Sequence, residues 1–141
     1  MAVLDHVVSA FEEIEHTADV AIRVRGRDLA ELFANAALGM AHQLADVDAV
    51  EPVIEEAIGL TAYDAETLLV AWLGELLYLG ERDCCVFVSF DMRETTHQGL
   101  RAMARGGPVR EYRRYIKAVT FNDLAIRPTD EGYEAVVVFD V

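Results

Sequence analysis

Ala135-Val136-Val137-Val138-Phe139-Asp140-Val141 closes the sequence, and the reading of this stretch decides the fold. Five consecutive apolar residues, three of them valine, read as a buried β-strand. At its end an acidic side chain, Asp140, stands next to the carboxyl group of Val141. A strand that stops there delivers two anionic groups to one rim of a sheet. Near the other end of the chain, Glu15-His16-Thr17-Ala18-Asp19 lies between two further strand-like segments. If the two ends meet, at least three carboxylates converge, and a hard divalent cation is the usual reason for such a gathering of oxygens.

The segments between these ends alternate strands with two helices. Phe11-Ile14 reads as a short strand. In Val20-Ala21-Ile22-Arg23-Val24-Arg25 the apolar residues take one face and the arginines the other, and Gly26 breaks the run. Asp28, with Glu31 three residues on, has the form of a helix N-cap and a capping-box partner. Leu29, Leu32, Phe33, Ala36, Ala37, Met40 and Leu44 then recur at helical spacing, which predicts a helix over about 29–43. Val53-Thr61 predicts a strand. Asp64 can cap a second helix, whose wide stripe of Leu68, Leu69, Trp72, Leu73, Leu76 and Leu77 requires burial and which Gly80 is expected to end. Strands are expected at 84–90, at 99–105 up to Gly106-Gly107-Pro108, within 110–120, at 124–126 and at 133–141, with Thr129-Asp130-Glu131-Gly132 as a hairpin turn. The order implies a single α+β domain, two helices packed on a mostly antiparallel or mixed sheet over 11–141, preceded by an extension over 1–10.

Composition bounds the function. The 141 residues carry a formal charge of −13, with 25 acidic and 12 basic side chains. Phosphate neutralisation drives most nucleic-acid affinity, so direct RNA or DNA binding is not expected. Six of the twelve cations nevertheless fall in one segment: Arg101, Arg105, Arg110, Arg113, Arg114 and Lys117. That cluster is either a solvated face balancing nearby acids or a contact for an acidic or phosphorylated partner. No apolar stretch has the length of a membrane span, and the start lacks the pattern of a cleaved leader, so a soluble cytoplasmic protein is expected. Cys84 and Cys85 are adjacent, and strand neighbours point to opposite faces, which suits reduced, partly buried thiols and not a shared metal. His6, His42 and His97 are scattered.

Three groups stand out as chemistry. His16 and Asp19 lie three apart in a loop, where both can reach one ligand or can cap a turn. Asp140 is either solvated at the rim or coordinated together with Val141; all-oxygen, multiply anionic ligation selects Ca²⁺, Mg²⁺ or Mn²⁺ over zinc. Lys117 is the sole lysine beside eleven arginines, which suggests a place for a compact point charge, with simple exposure as the alternative. A metal-dependent hydrolase using Asp19, Asp140 and His16 is one functional class compatible with these residues. A general chaperone-like module for RNA-modifying enzymes is another.

Taken together, Glu15-His16-Thr17-Ala18-Asp19-Val20, Leu29-Ala30-Glu31-Leu32-Phe33, the run Leu68 to Tyr78, Ile116-Lys117-Ala118-Val119-Thr120 and Val138-Phe139-Asp140-Val141 resemble the archease family over nearly the whole chain. The resemblance implies a non-catalytic accessory protein of the RtcB-type tRNA-splicing RNA ligase. Such a protein promotes metal- and GTP-dependent guanylylation of the ligase histidine and repeated turnover. It implies a divalent cation, Ca²⁺ first and Mg²⁺ or Mn²⁺ otherwise, held by Asp19, Asp140 and the Val141 carboxylate. Lys117 matches the family's functional lysine, and His16 matches the motif histidine. The chain departs from the family in carrying Phe121-Asn122 where Tyr-His is frequent.

Overall fold

Among the described residues every strand pairing is antiparallel, and the pairings form two sheets instead of the one expected. The coordinates are a computed structural model that describes residues 10–15 and 19–141. His16, like nine of the ten residues of the expected extension, lies outside the described residues. The larger sheet contains β1 (Phe11–Glu15), β2 (Asp19–Gly26), β6 (Ala118–Thr120), β7 (Arg127–Thr129) and β8 (Gly132–Asp140), in the order β1-β2-β8-β6, with β7 also on β8. The smaller contains β3 (Ile54–Thr61), β4 (Cys85–Thr95) and β5 (Gly99–Pro108), with β5 in the middle.

Two helices, α1 (Leu29–Leu44) and α2 (Ala65–Asp83), share one core with both sheets. The core takes Ile22 and Val24 from β2, Val137 and Phe139 from β8, and Ala102, Ala104 and Phe87 from the smaller sheet. Trp72 is fully buried, stands edge-on to Phe90, and its indole N–H donates to the Phe33 carbonyl at 3.0 Å, tying α2 to α1. A buried aromatic of this size contributes a few kcal/mol by transfer from water alone, on the order of 2–3. Among the described residues no helix is long and apolar enough to cross a membrane.

Helix starts follow local chemistry. Asp28 accepts from the Glu31 N–H at 2.8 Å and Asp64 from the Thr67 N–H at 2.8 Å, so each satisfies one orphan donor of its first turn. Glu31 reaches back to the Arg27 N–H, one residue before the position a strict capping box uses.

Several element ends differ from the sequence expectation. Gly80 does not stop α2, which runs on to Asp83. A side chain at Gly80 would sit 2.7 Å from the Cys85 carbonyl, so this glycine lets β4 begin against the helix. The stop falls on Cys84, left-handed at φ 54°, which removes Cys84 from the strand and leaves it exposed, while Cys85 is buried. Gly106 and Gly107 do not end β5. They continue it to Pro108, because the backbones of Val86 and Glu51 approach too closely for a Cβ. Leu124-Ile126 is not a strand: its role falls to Arg127–Thr129, which forms the expected hairpin with β8 around Gly132 (φ 143°). Only 118–120 of the run 110–120 pairs as a strand.

Candidate functional site

β2 starts at Asp19 and β8 stops at Asp140, and the antiparallel register sets these two residues directly opposite each other. Opposed residues of such a pair project to the same face, with their Cβ atoms about 5 Å apart. The next pair inward, Val20 opposite Phe139, is buried in the core. Strand alternation therefore turns the two aspartates to the opposite face, away from the helices. Asp19 is half-buried and Asp140 is exposed.

The other flank of β8 carries β6, with Ala118 opposite Asp140. One residue earlier, the Lys117 N–H donates to the Asp140 carbonyl at 2.7 Å. Lys117 is thus stitched to the same residue that faces Asp19, and it is exposed. Val141 follows at the end of the strand and is also exposed. Four of the five residues singled out from the sequence, Asp19, Asp140, Val141 and Lys117, come together at one sheet rim; the fifth, His16, is outside the described residues.

Among the described residues no group of three or more histidine, cysteine, aspartate or glutamate side chains gathers to hold a metal ion. The rim supplies two such side chains, both hard oxygen donors. This donor set fits a divalent cation that tolerates oxygen ligands and solvent completing its shell, and it contains no soft donor.

The basic segment is not one patch. Arg105 pairs with Glu55 at 2.6 Å and Arg101 with Glu94 at 3.7 Å, both on the exposed face of the smaller sheet. Arg113 donates from its side chain to the His42 carbonyl and from its backbone to the Leu44 carbonyl, closing the C-terminus of α1 with a cation where the helix dipole favours one. Arg110, Arg114 and Lys117 form no ion pair among the described residues. Burial, helped by the Arg113 charge, lowers the His42 imidazole from its ordinary value, and its ring lies 5.0 Å from that of Phe11. Burial, helped by the Asp83 and Glu56 charges, likewise raises the Cys85 thiol, which disfavours its thiolate.

An apolar cavity among α1, α2 and β4 has no signature in the sequence. Residues 109–117 cross it as an irregular strap. The partial alternation of this stretch resembled a strand, and only the pairing partners distinguish the two.

Comparison with known proteins agrees with this architecture. Residues 11–141 match the model of the archease protein family (MTH1598/TM1083). Protein archease of Methanosarcina mazei is 38% identical over 139 residues, covering 93% of this chain and 95% of that protein. Protein archease of Saccharolobus islandicus (strain M.14.25) is 40% identical over 137 residues, covering 94% and 99%. The solution structure of Methanobacterium thermoautotrophicum protein 1598 superposes with a TM-score of 0.74 at 31% identity, over 94% of this chain and 99% of that one. A crystal structure from Thermotoga maritima, described as an archease and possible chaperone, shares the fold with a TM-score of 0.67 at 20% identity, over 92% and 96%. The chain belongs to the archease family.

Proposed function

We propose that this protein is an accessory factor of an RtcB-type tRNA-splicing RNA ligase, and that its Asp19–Asp140 rim presents a divalent cation during GTP-dependent guanylylation of that enzyme. The observation that carries the reading is the strand register: it sets Asp19 and Asp140 opposite each other on the outer side of the sheet, with the Lys117 backbone N–H bonded to the Asp140 main-chain carbonyl. Two anions so placed repel each other modestly, and a bound cation would turn that repulsion into attraction.

In this reading Asp19 and Asp140 provide side-chain oxygens and Val141 provides its carboxylate. Lys117, exposed beside them, holds a compact positive charge where a partner's phosphate oxygens can approach. A divalent cation at such a site supplies charge that screens phosphate oxygens and eases nucleophilic attack at phosphorus. The net charge of −13 opposes RNA binding, so the protein acts on the ligase and leaves the RNA to it. Localisation in the cytoplasm, and Ca²⁺ ahead of Mg²⁺ or Mn²⁺, belong to the same proposal.

The test is single-turnover guanylylation of a ligase with GTP, with and without this protein. Wild type is expected to raise the rate. Asp19→Asn, Asp140→Asn, Lys117→Ala and a chain extended past Val141 by two glycines are each expected to lose most of the stimulation while still unfolding cooperatively. Full stimulation by folded Asp19→Asn and Asp140→Asn proteins would show that the rim does not act in this way. Phosphoester hydrolysis by the isolated protein with Mn²⁺, lost in the same variants, would favour a hydrolase instead.

A further inference from the structure

The strap over 109–117 covers an apolar cavity of about 490 Å³, lined by none of Asp19, Lys117, Asp140 and Val141. Its walls are Met40 and Leu44 of α1, Leu76 and Leu77 of α2, and Phe87 and Phe90 of β4. Small-molecule sites commonly span about 300–1,000 Å³ with apolar walls and a few convergent polar groups. A cavity of about 150 Å³ in a protein core already accepts benzene, so this one has room for a group several times that size.

The polar groups come mainly from the strap. Tyr112 and Tyr115 line the cavity while remaining about half exposed or more, at 46% and 63%. Arg114 also lines it, half-buried, and pairs with no carboxylate among the described residues. Glu81 is the one acid among the lining residues. The strap carries Arg110, Arg113, Arg114 and Lys117 against Glu111, a local positive balance in a chain of net charge −13. A half-buried guanidinium unpaired among the described residues, beside an apolar hollow, is complementary to an anion joined to an apolar body.

We propose that this cavity binds a small amphipathic anion, an apolar chain or ring system of roughly ten carbons bearing one carboxylate or sulfonate. The apolar part lies between the two helices and β4, and the anionic group meets Arg114. The inference goes beyond the ligase reading and does not depend on it.

Calorimetry and methyl NMR on the isolated protein test it, with decanoate, decanol and decyltrimethylammonium as probes. Decanoate is expected to bind saturably at one site and to shift the Met40 and Leu76 methyl signals. Decanol is expected to bind more weakly, and the cationic probe weakest of all. Arg114→Gln should weaken decanoate about tenfold or more and leave decanol unchanged, as loss of a charged hydrogen bond predicts. Leu77→Trp, at a half-buried position, should block all three probes in a protein that still melts cooperatively; Ala41→Phe is a second filling variant. Absence of saturable decanoate binding, equal affinity for the anionic and cationic probes, or full decanoate affinity in Arg114→Gln would overturn the proposal. Failure of decanoate to bind, combined with loss of ligase association in Leu77→Trp, would overturn it too and assign the cavity to an apolar side chain of a protein partner.

Discussion

Replacing Asp140 by Asn has opposite expected effects with and without a divalent cation. Asp19 and Asp140 are directly opposed, so their carboxylates project from Cβ atoms about 5 Å apart. Two unit charges at that distance repel by about 0.8 kcal/mol in water-like surroundings and by about 3 kcal/mol at an effective dielectric of 20. Asp140 is exposed and Asp19 only half-buried, which favours the lower end, near 1 kcal/mol. In chelator, Asp140→Asn is therefore expected to be more stable than wild type by up to about 1 kcal/mol, a rise of roughly 2–5 °C in Tm for a domain of this size. With calcium at one hundred times its Kd, wild type should gain about 2.7 kcal/mol, and the variant should lose most of that gain. The order of the two melting temperatures thus reverses as calcium is added. Thermal unfolding in EDTA and then in a calcium titration reads both effects. An Asn variant less stable than wild type in EDTA, or one that gains as much from calcium, would refute the reasoning.

Three further outcomes follow from the packing. Trp72→Phe loses the indole bond to the Phe33 carbonyl and part of a fully buried ring, and should lower stability by about 2–3 kcal/mol in urea unfolding with an unchanged slope. His42 is held below its ordinary value by burial and by Arg113, opposed by Asp46 and Asp48, so the unfolded chain takes up its proton first as pH falls. Its contribution is present above pH 6.5, the unfolded value, and is lost as pH drops from there through the lower folded value; His42→Gln should flatten that part of the stability profile measured from pH 7.5 to 5. Gly107→Ala drives a Cβ onto the Glu51 carbonyl and should cost about 1–3 kcal/mol by the same unfolding assay, whereas Gly59→Ala, which meets open space, should not show this steric loss.

What was legible in the sequence is what local chemistry decides. The caps at Asp28 and Asp64, the buried stripe through Trp72 and the turn before Gly132 depend on near neighbours, and each stands where its spacing put it. Gly80 misled because a glycine after a helical run usually signals a stop. Here the tertiary approach of Cys85 requires the missing side chain, and the helix continues. Residues 109–117 misled for a similar reason: they alternate like a strand but fold across the end of α1, where Arg113 satisfies its carbonyls. The rim was legible as a set of residue types and as a condition, that the two chain ends meet, but not as a strand register. A one-residue slip of β8 on β2 would turn Val137 and Phe139 out of the core, so burial of those side chains fixes the register. That register, settled at the opposite face of the sheet, is what brings Asp140 to Asp19. Its neighbour Lys117 arrives just ahead of β6, whose three residues are all that pairs of the strand expected within 110–120.

The central claim is that the facing aspartates grip a hard cation. Crystals soaked in Mn²⁺ and measured at the manganese absorption edge test it most directly. The account predicts an anomalous peak within about 2.5 Å of carboxylate oxygens from both Asp19 and Asp140, with a Val141 oxygen in the same shell, and loss of that peak in Asp140→Asn. Well-ordered aspartates with no peak between them at millimolar Mn²⁺, or a peak that persists in Asp140→Asn, would contradict it.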